Sequence, residues 1–180
     1  MSLLDPSTTY YVMSEKTWKR GSGDILDQAG VKIGSTKCTL LPMRTRIELR
    51  SPDDAILCTI DMKTVDSRPI YDVKDSNGNL IGRAKRAILA LRDSICMYGP
   101  NDSELYWAVG DLTKRNFTIT DSKNQDRVYA TIAKRDRWQG IILPNLGLGN
   151  DHVIHIEDPE ANRLIVLAYA VIIDNAYHSK

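Results

Sequence analysis

Ten consecutive apolar residues, Leu164 to Ile173, constrain this chain more than any other feature. Asp158 is a good helix N-cap, Pro159 suits the first helical position, and Glu160 suits the positive end of a helix dipole. The segment therefore reads as a helix from about Glu160 to Asn175, although the β-branched residues at 165, 166, 171, 172 and 173 would also allow a buried strand. As a helix the apolar run spans only about 15 Å, roughly half a bilayer core. A longer span would draw Arg163, Asn162, Glu160 and Asp158 into hydrocarbon, so no transmembrane segment is expected. A helix that is apolar all round has no face for water and must be surrounded by protein.

The rest of the chain supplies strands to surround it. From Thr45 to Arg50, residues Thr45, Ile47 and Leu49 alternate with Arg46, Glu48 and Arg50. After Ser51-Pro52-Asp53-Asp54 the alternation resumes, with Ile56, Cys58, Ile60 and Met62 against Thr59, Asp61 and Lys63. Period-2 alternation with one polar face marks an antiparallel sheet solvated on one side, and so short a connection makes the pair a hairpin. The same grammar recurs at Asp24–Val31, Ile70–Ile81, Phe117–Tyr129 and Ile154–Leu164: an alternating run, an Asp, a short polar turn, and a second run. Asp bonds its own backbone two residues on, and Gly or Asn tolerates positive φ, so each turn has a mechanism. A meander of hairpins that curls and closes around one helix is the economical fold.

Composition limits the function classes. The 180 residues are 42% hydrophobic and 26% charged, with only 11 Gly and 7 Pro, which excludes collagen-like and disordered chains. A formal net charge of +1 argues against a nucleic-acid coat, and no nucleic-acid partner is expected. Cys38, Cys58 and Cys96 form no CxxC pair, so they read as reduced core thiols rather than a disulfide framework or zinc site. Met1 to Tyr11 shows no secretory pattern, and the expected location is the cytoplasm, peripheral at membranes. His152 and His155 point to opposite faces of a strand, and Asp75-Ser76-Asn77-Gly78-Asn79 has its glycine too early for an EF-hand loop. No metal or cofactor is expected, and no residue stands out as catalytic.

Three basic clusters are candidates for an anionic ligand. Arg83 and Lys85 share one strand face and Arg86 takes the other, with Arg92 beyond; Lys114 and Arg115 form the second cluster. Lys134, Arg135 and Arg137 form the third, beside Trp138, an amphipathic ring suited to a membrane interface. The plainer reading is that these charges are solvated outer faces of strands.

Tyr11-Val12-Met13-Ser14-Glu15-Lys16, Asp24-Ile25-Leu26-Asp27 with Gly30, Ile70-Tyr71-Asp72-Val73 with Asp75, Gly78, Asn79, Leu80 and Ile81, and the segment Leu164 to Asp174 resemble, in order and spacing, the LURP-one-related branch of the tubby C-terminal-like superfamily, which includes the phospholipid scramblases. The resemblance implies a closed twelve-stranded antiparallel barrel threaded by one hydrophobic C-terminal helix, with residues 1–9 a flexible lead and 10–180 a single domain. It also implies a non-catalytic module binding membrane phospholipid, most simply phosphoinositide head groups. Arg83, Lys85, Arg86, Lys134, Arg135 and Arg137 would supply the charge and Trp138 the anchor. The alternatives are scramblase-like lipid handling, or a small-molecule or enzymatic barrel with a mouth pocket near Trp107, Tyr71 or Tyr129 and a carboxylate such as Asp72.

Overall fold

The computed structural model describes residues 2–13, 22–42, 44–65, 68–86, 94–111, 116–134 and 152–178. The strands are β1 (Tyr10–Met13), β2 (Gly23–Leu26), β3 (Lys32–Leu41), β4 (Arg44–Arg50), β5 (Ile56–Val65), β6 (Arg68–Asp75), β7 (Leu80–Arg86), β8 (Ser94–Tyr98), β9 (Glu104–Gly110), β10 (Phe117–Asp121), β11 (Val128–Lys134) and β12 (His152–Ile156), followed by helix α1 (Arg163–His178). Each strand pairs antiparallel with its chain neighbour, and β1 pairs with β12, so the sheet closes into a twelve-stranded barrel as expected. Closure gives every strand a neighbour on both sides.

The inner face and the helix form one core. From Val166 to Ile173 the helix is almost wholly buried, in a single apolar cluster that takes residues from every strand. Small inward residues, among them Ala84, Ala108 and Ala130, alternate with larger ones such as Ile60, Ile119 and Ile154, which shapes the interior around the helix. Tyr169 carries the helix's one buried side-chain hydroxyl between Val166 and Ile173, and the wall satisfies it. The hydroxyl accepts from the Ala108 amide (3.1 Å) and donates to the Ile95 carbonyl. Ile95 and Ala108 face each other across β8 and β9, so one hydroxyl ties the helix to both strands.

Four hairpin turns follow one design. Gly30, Asp54, Gly78 and Asp102 donate to the carbonyls of Asp27, Ser51, Asp75 and Gly99 at 3.0, 3.0, 3.0 and 3.1 Å. Those four donors have φ of +81°, +68°, +85° and +54°. This is a type I turn followed by a left-handed residue, a geometry that Gly, Asn and Asp tolerate. Asp75 Oδ1 accepts the amides of Asn77 (2.9 Å) and Asn79 (2.8 Å), so that segment is a hairpin turn stabilised by its own carboxylate. All four turns lie at the rim where α1 begins, because the strands alternate in direction.

The helix starts three residues later than expected. Asp158 Oδ1 accepts the Glu160 amide (2.9 Å) and its carbonyl accepts that of Ala161 (3.0 Å), closing a separate turn. Asn162 is the cap: its Oδ1 takes the Ile165 amide (3.2 Å) and its carbonyl the Val166 amide (2.9 Å). The preceding turn offers Asp158 and Glu160 to Arg127, at 2.7 and 3.0 Å.

Residues 2–9 cross this same rim. Leu3 is fully buried, and the Tyr11 hydroxyl donates to its carbonyl (3.0 Å). A Cβ at Gly34 would stand 2.9 Å from both the Leu3 side chain and the Arg50 carbonyl, so only glycine lets this segment lie so close to β3. Arg163, also buried, donates to the carbonyls of Pro6 (2.6 Å), Pro159 (3.2 Å) and Thr8 (3.4 Å).

The Tyr169 contacts generate a stability prediction. Tyr169→Phe keeps the ring but leaves a buried amide and a buried carbonyl with a partner removed. A loss of about 1–3 kcal/mol is expected from urea denaturation; an unchanged midpoint would show that Ile95 and Ala108 bond each other directly.

Candidate functional site

The outer face of β4–β7 carries an ordered lattice of charge. Strand register places Arg46, Asp61, Asp72 and Arg83 in one row across four strands. Two carboxylates directly opposite each other repel, and such a pair persists only where cations offset it. Here each has two. Asp61 accepts from Arg46 Nε (2.8 Å) and Nη2 (3.3 Å) and from Lys74 Nζ (3.2 Å). Asp72 accepts from Arg83 Nε (2.6 Å) and Lys63 Nζ (3.3 Å).

Both carboxylates are nearly sealed, with side-chain exposures of 1% and 6%. Burial opposes their ionisation, but hydrogen bonds from Arg46 and Lys74, and from Arg83 and Lys63, outweigh it and hold both below the usual carboxylate range. The cations stay accessible: Arg46 and Arg83 are each 33% exposed, Lys74 34% and Lys63 52%. Arg83 spends only Nε on Asp72, and its two terminal nitrogens make no further bond among the described residues.

Counting the outward positions 46–50, 59–63, 70–74 and 81–85, six cations (Arg46, Arg50, Lys63, Lys74, Arg83, Lys85) stand against three carboxylates (Glu48, Asp61, Asp72). The excess on this one face is larger than the whole chain's net charge of +1. The face is therefore cationic, and its charges are fixed by the carboxylates beneath them. Such a surface suits phosphate groups, which take bidentate bonds from a guanidinium and point charge from an ammonium.

Sequence reasoning located part of this face. Arg83 and Lys85 share it as anticipated, with Lys85 Nζ 4.9 Å from the Tyr98 ring centroid. Arg86 takes the other face, where its guanidinium lies 5.1 Å from the ring centroid of Tyr177 on α1. Lys134 ends β11, its backbone opposite His152. Arg135, Arg137 and Trp138 lie outside the described residues, as do Arg92, Lys114 and Arg115. Arg46, Lys63 and Lys74 were not singled out. The alternation put Arg46, Asp61 and Lys63 on polar faces, but only hairpin register shows which charges meet.

The suggested grouping of Tyr71, Trp107 or Tyr129 with Asp72 does not form. Tyr71 points into the barrel, its hydroxyl donating to Asn175 Oδ1 (3.4 Å), whereas its neighbour Asp72 points outward, as strand alternation requires. The Tyr129 hydroxyl donates to Asp121 Oδ2 (3.1 Å). Where the helix ends, Met13, Phe117, Ile132, His152, Ala170, Ile173 and Asp174 line a cavity of about 10 Å³, roughly the room one water needs. His152 Nδ1 stands 4.0 Å from Asp174 Oδ1 there. Among the described residues no group of three metal-ligating side chains converges, and no helix is long and apolar enough to cross a membrane.

The lattice predicts an acid dependence. Groups ionised more readily when folded stabilise the protein above their unfolded pKa, and lose that contribution as pH falls through the folded value. Asp61 and Asp72 therefore stabilise the fold in full above about pH 4 and progressively less below it. The urea midpoint of an Asp61→Asn, Asp72→Asn variant should lie well below that of the unaltered chain at pH 7 and approach it towards pH 2. A gap independent of pH would mean that the carboxylate charges contribute nothing.

The comparisons with known proteins agree with this architecture. A search of curated proteins finds no match. Among solved structures, an X-ray structure of a protein from Arabidopsis thaliana matches with a TM-score of 0.66 over 97% of each chain, at 13% identity, which shows a shared fold. The LURP-one-related family model matches residues 8–174. That range covers nearly all of the barrel and its helix: the chain belongs to the LURP-one-related family.

Proposed function

We propose that the domain is a non-catalytic binding module that docks on membrane phospholipid through the cationic face of β4–β7. The observation that carries the reading is the pairing of Asp61 and Asp72 with four cations, Arg46, Lys63, Lys74 and Arg83. The carboxylates fix the cations in place and leave two unbalanced positive charges. Lys85 extends the face by one more position. Phosphoinositide head groups present several phosphate oxygens and would engage neighbouring cations across the strands, which lie about 4.8 Å apart. The anionic cytoplasmic leaflet is the proposed place of action.

Each basic residue near an anionic surface contributes about 1 kcal/mol, so binding is expected to be weak and sensitive to salt. Sedimentation with vesicles of phosphatidylcholine alone, and of phosphatidylcholine with a phosphatidylinositol phosphate, tests the reading. Recovery should be selective for the anionic vesicles and should fall from low to physiological salt. Lys63→Ala and Lys85→Ala should each weaken binding about fivefold. Equal recovery with both vesicle types would sink the proposal.

A further inference from the structure

The overhang of the β3–β4 hairpin shows how that face would meet a membrane. The β2–β3 ladder ends at Gly23 opposite Thr36, yet β3 continues to Leu41, paired with β4 as far as Leu41 opposite Arg44. Among the described residues its other side is met there by Ser22, whose Oγ accepts the Cys38 amide (2.7 Å). At the tip of this overhang Leu40 is 70% exposed, the most exposed large hydrophobic side chain among the described residues. Pro42 beside it is exposed and Leu41 is half-buried. This leucine does not serve the core: Cys38, two residues earlier, packs against the core cluster, whereas Leu40 is neither in it nor against it.

The charge around the tip identifies its counterpart. Strand direction places Arg44, Lys63, Lys85 and Arg86 at this end of the barrel, where α1 finishes. The opposite rim carries Asp27, Asp53, Asp54, Asp75 and Asp102 in its turns. The other two exposed large hydrophobics, Val31 (57%) and Ile56 (39%), adjoin those acidic turns and are ill placed for an anionic surface. The molecule is thus polarised along the barrel axis, with an apolar tip and cations at one end and carboxylates at the other. A soluble polyanion would use the cations but has no use for the leucine. An anionic lipid surface uses both, head groups against the cations and the acyl boundary against the tip.

We infer that the β3–β4 hairpin tip, Leu40–Leu41–Pro42, is a membrane-insertion element that orients the barrel with the end of α1 towards an anionic lipid surface. The inference rests on the lipid-docking reading and adds orientation and depth to it. The test uses the full chain with vesicles of phosphatidylcholine and phosphatidylserine, with Leu40→Asp, Leu40→Trp and a Val31→Asp control at the far rim. Leu40 is exposed, so Leu40→Asp should leave the thermal midpoint unchanged. Its vesicle affinity should drop about tenfold, the order expected when one leucine no longer leaves water, while Val31→Asp binds as the unaltered chain does. The added tryptophan of Leu40→Trp should shift to the blue on binding and be quenched by brominated lipid. If the unaltered chain binds these vesicles but Leu40→Asp binds equally well, or the new tryptophan is not quenched, the insertion element is refuted and surface docking stands. If polyglutamate in solution competes fully and the substitutions at Leu40 have no effect, the counterpart is a soluble polyanion and the inference falls. Failure of the unaltered chain to bind anionic vesicles at any salt concentration removes both readings.

Discussion

Everything in this structure follows from a helix that offers no face to water. Between Leu164 and Ile173 the chain has no polar group except the Tyr169 hydroxyl, so every direction around the helix axis must be filled with apolar wall. A flat sheet covers one side of a helix and a sandwich covers two. Only a closed sheet covers all of them, and closure needs enough strands to leave room for a helix about 10 Å across. The twelve strands supply that circumference, and their inward residues meet the helix in one continuous cluster. The barrel interior is consequently occupied by the chain itself. What remains for recognition is the outer face, the two rims and whatever projects beyond them.

That constraint explains why the charge lattice sits where it does. Outward positions on adjacent strands are brought into rows by register, and β5 and β6 place Asp61 and Asp72 directly opposite each other. In isolation this arrangement would be destabilising. Four cations convert it into a compact array in which each carboxylate holds one arginine and one lysine. The carboxylates lie deepest and the cations shield them, so solvent or a ligand meets positive charge first. Stability and recognition are therefore served by the same contacts. A lattice of equal numbers would stabilise the sheet without attracting an anion, whereas exposed lysines alone would attract one without fixing its position.

The parts of this molecule legible in the sequence were those written in local periodicity. The apolar run specified an enclosed helix, the Asp-initiated turns specified hairpins, and period-2 alternation placed Arg83 and Lys85 on one face. What escaped depended on competition or on distance. Asp158 and Asn162 are both good N-caps four residues apart; Asp158 caps a separate turn through the Glu160 amide, and Asn162 caps the helix itself. The pairing of Arg83 with Asp72 bridges two strands, and no single-strand pattern reveals which carboxylate a cation will meet. The Leu40 tip was hidden for another reason: in the sequence it is one apolar residue in an apolar stretch, and only its exposure beyond the end of the β2 ladder sets it apart.

Arg163 shows how far such long-range dependence extends. A guanidinium at the first residue of a helix sits at the positive end of the dipole, which disfavours it, and this one is also buried. Three carbonyls accept its hydrogen bonds, and two of them belong to Pro6 and Thr8, more than 150 residues earlier. Carbonyl oxygens carry partial negative charge and can solvate a buried cation, but only if the backbone is held against it. Leu3, buried beside Gly34, and the Tyr11 hydroxyl on the Leu3 carbonyl hold it there. The segment before β1 and the start of α1 thus stabilise each other at the same rim where β1 closes onto β12. Because the wall is completed only when first strand meets last, and the helix entrance only when residues 2–9 lie across it, the two ends of the chain form one structural unit.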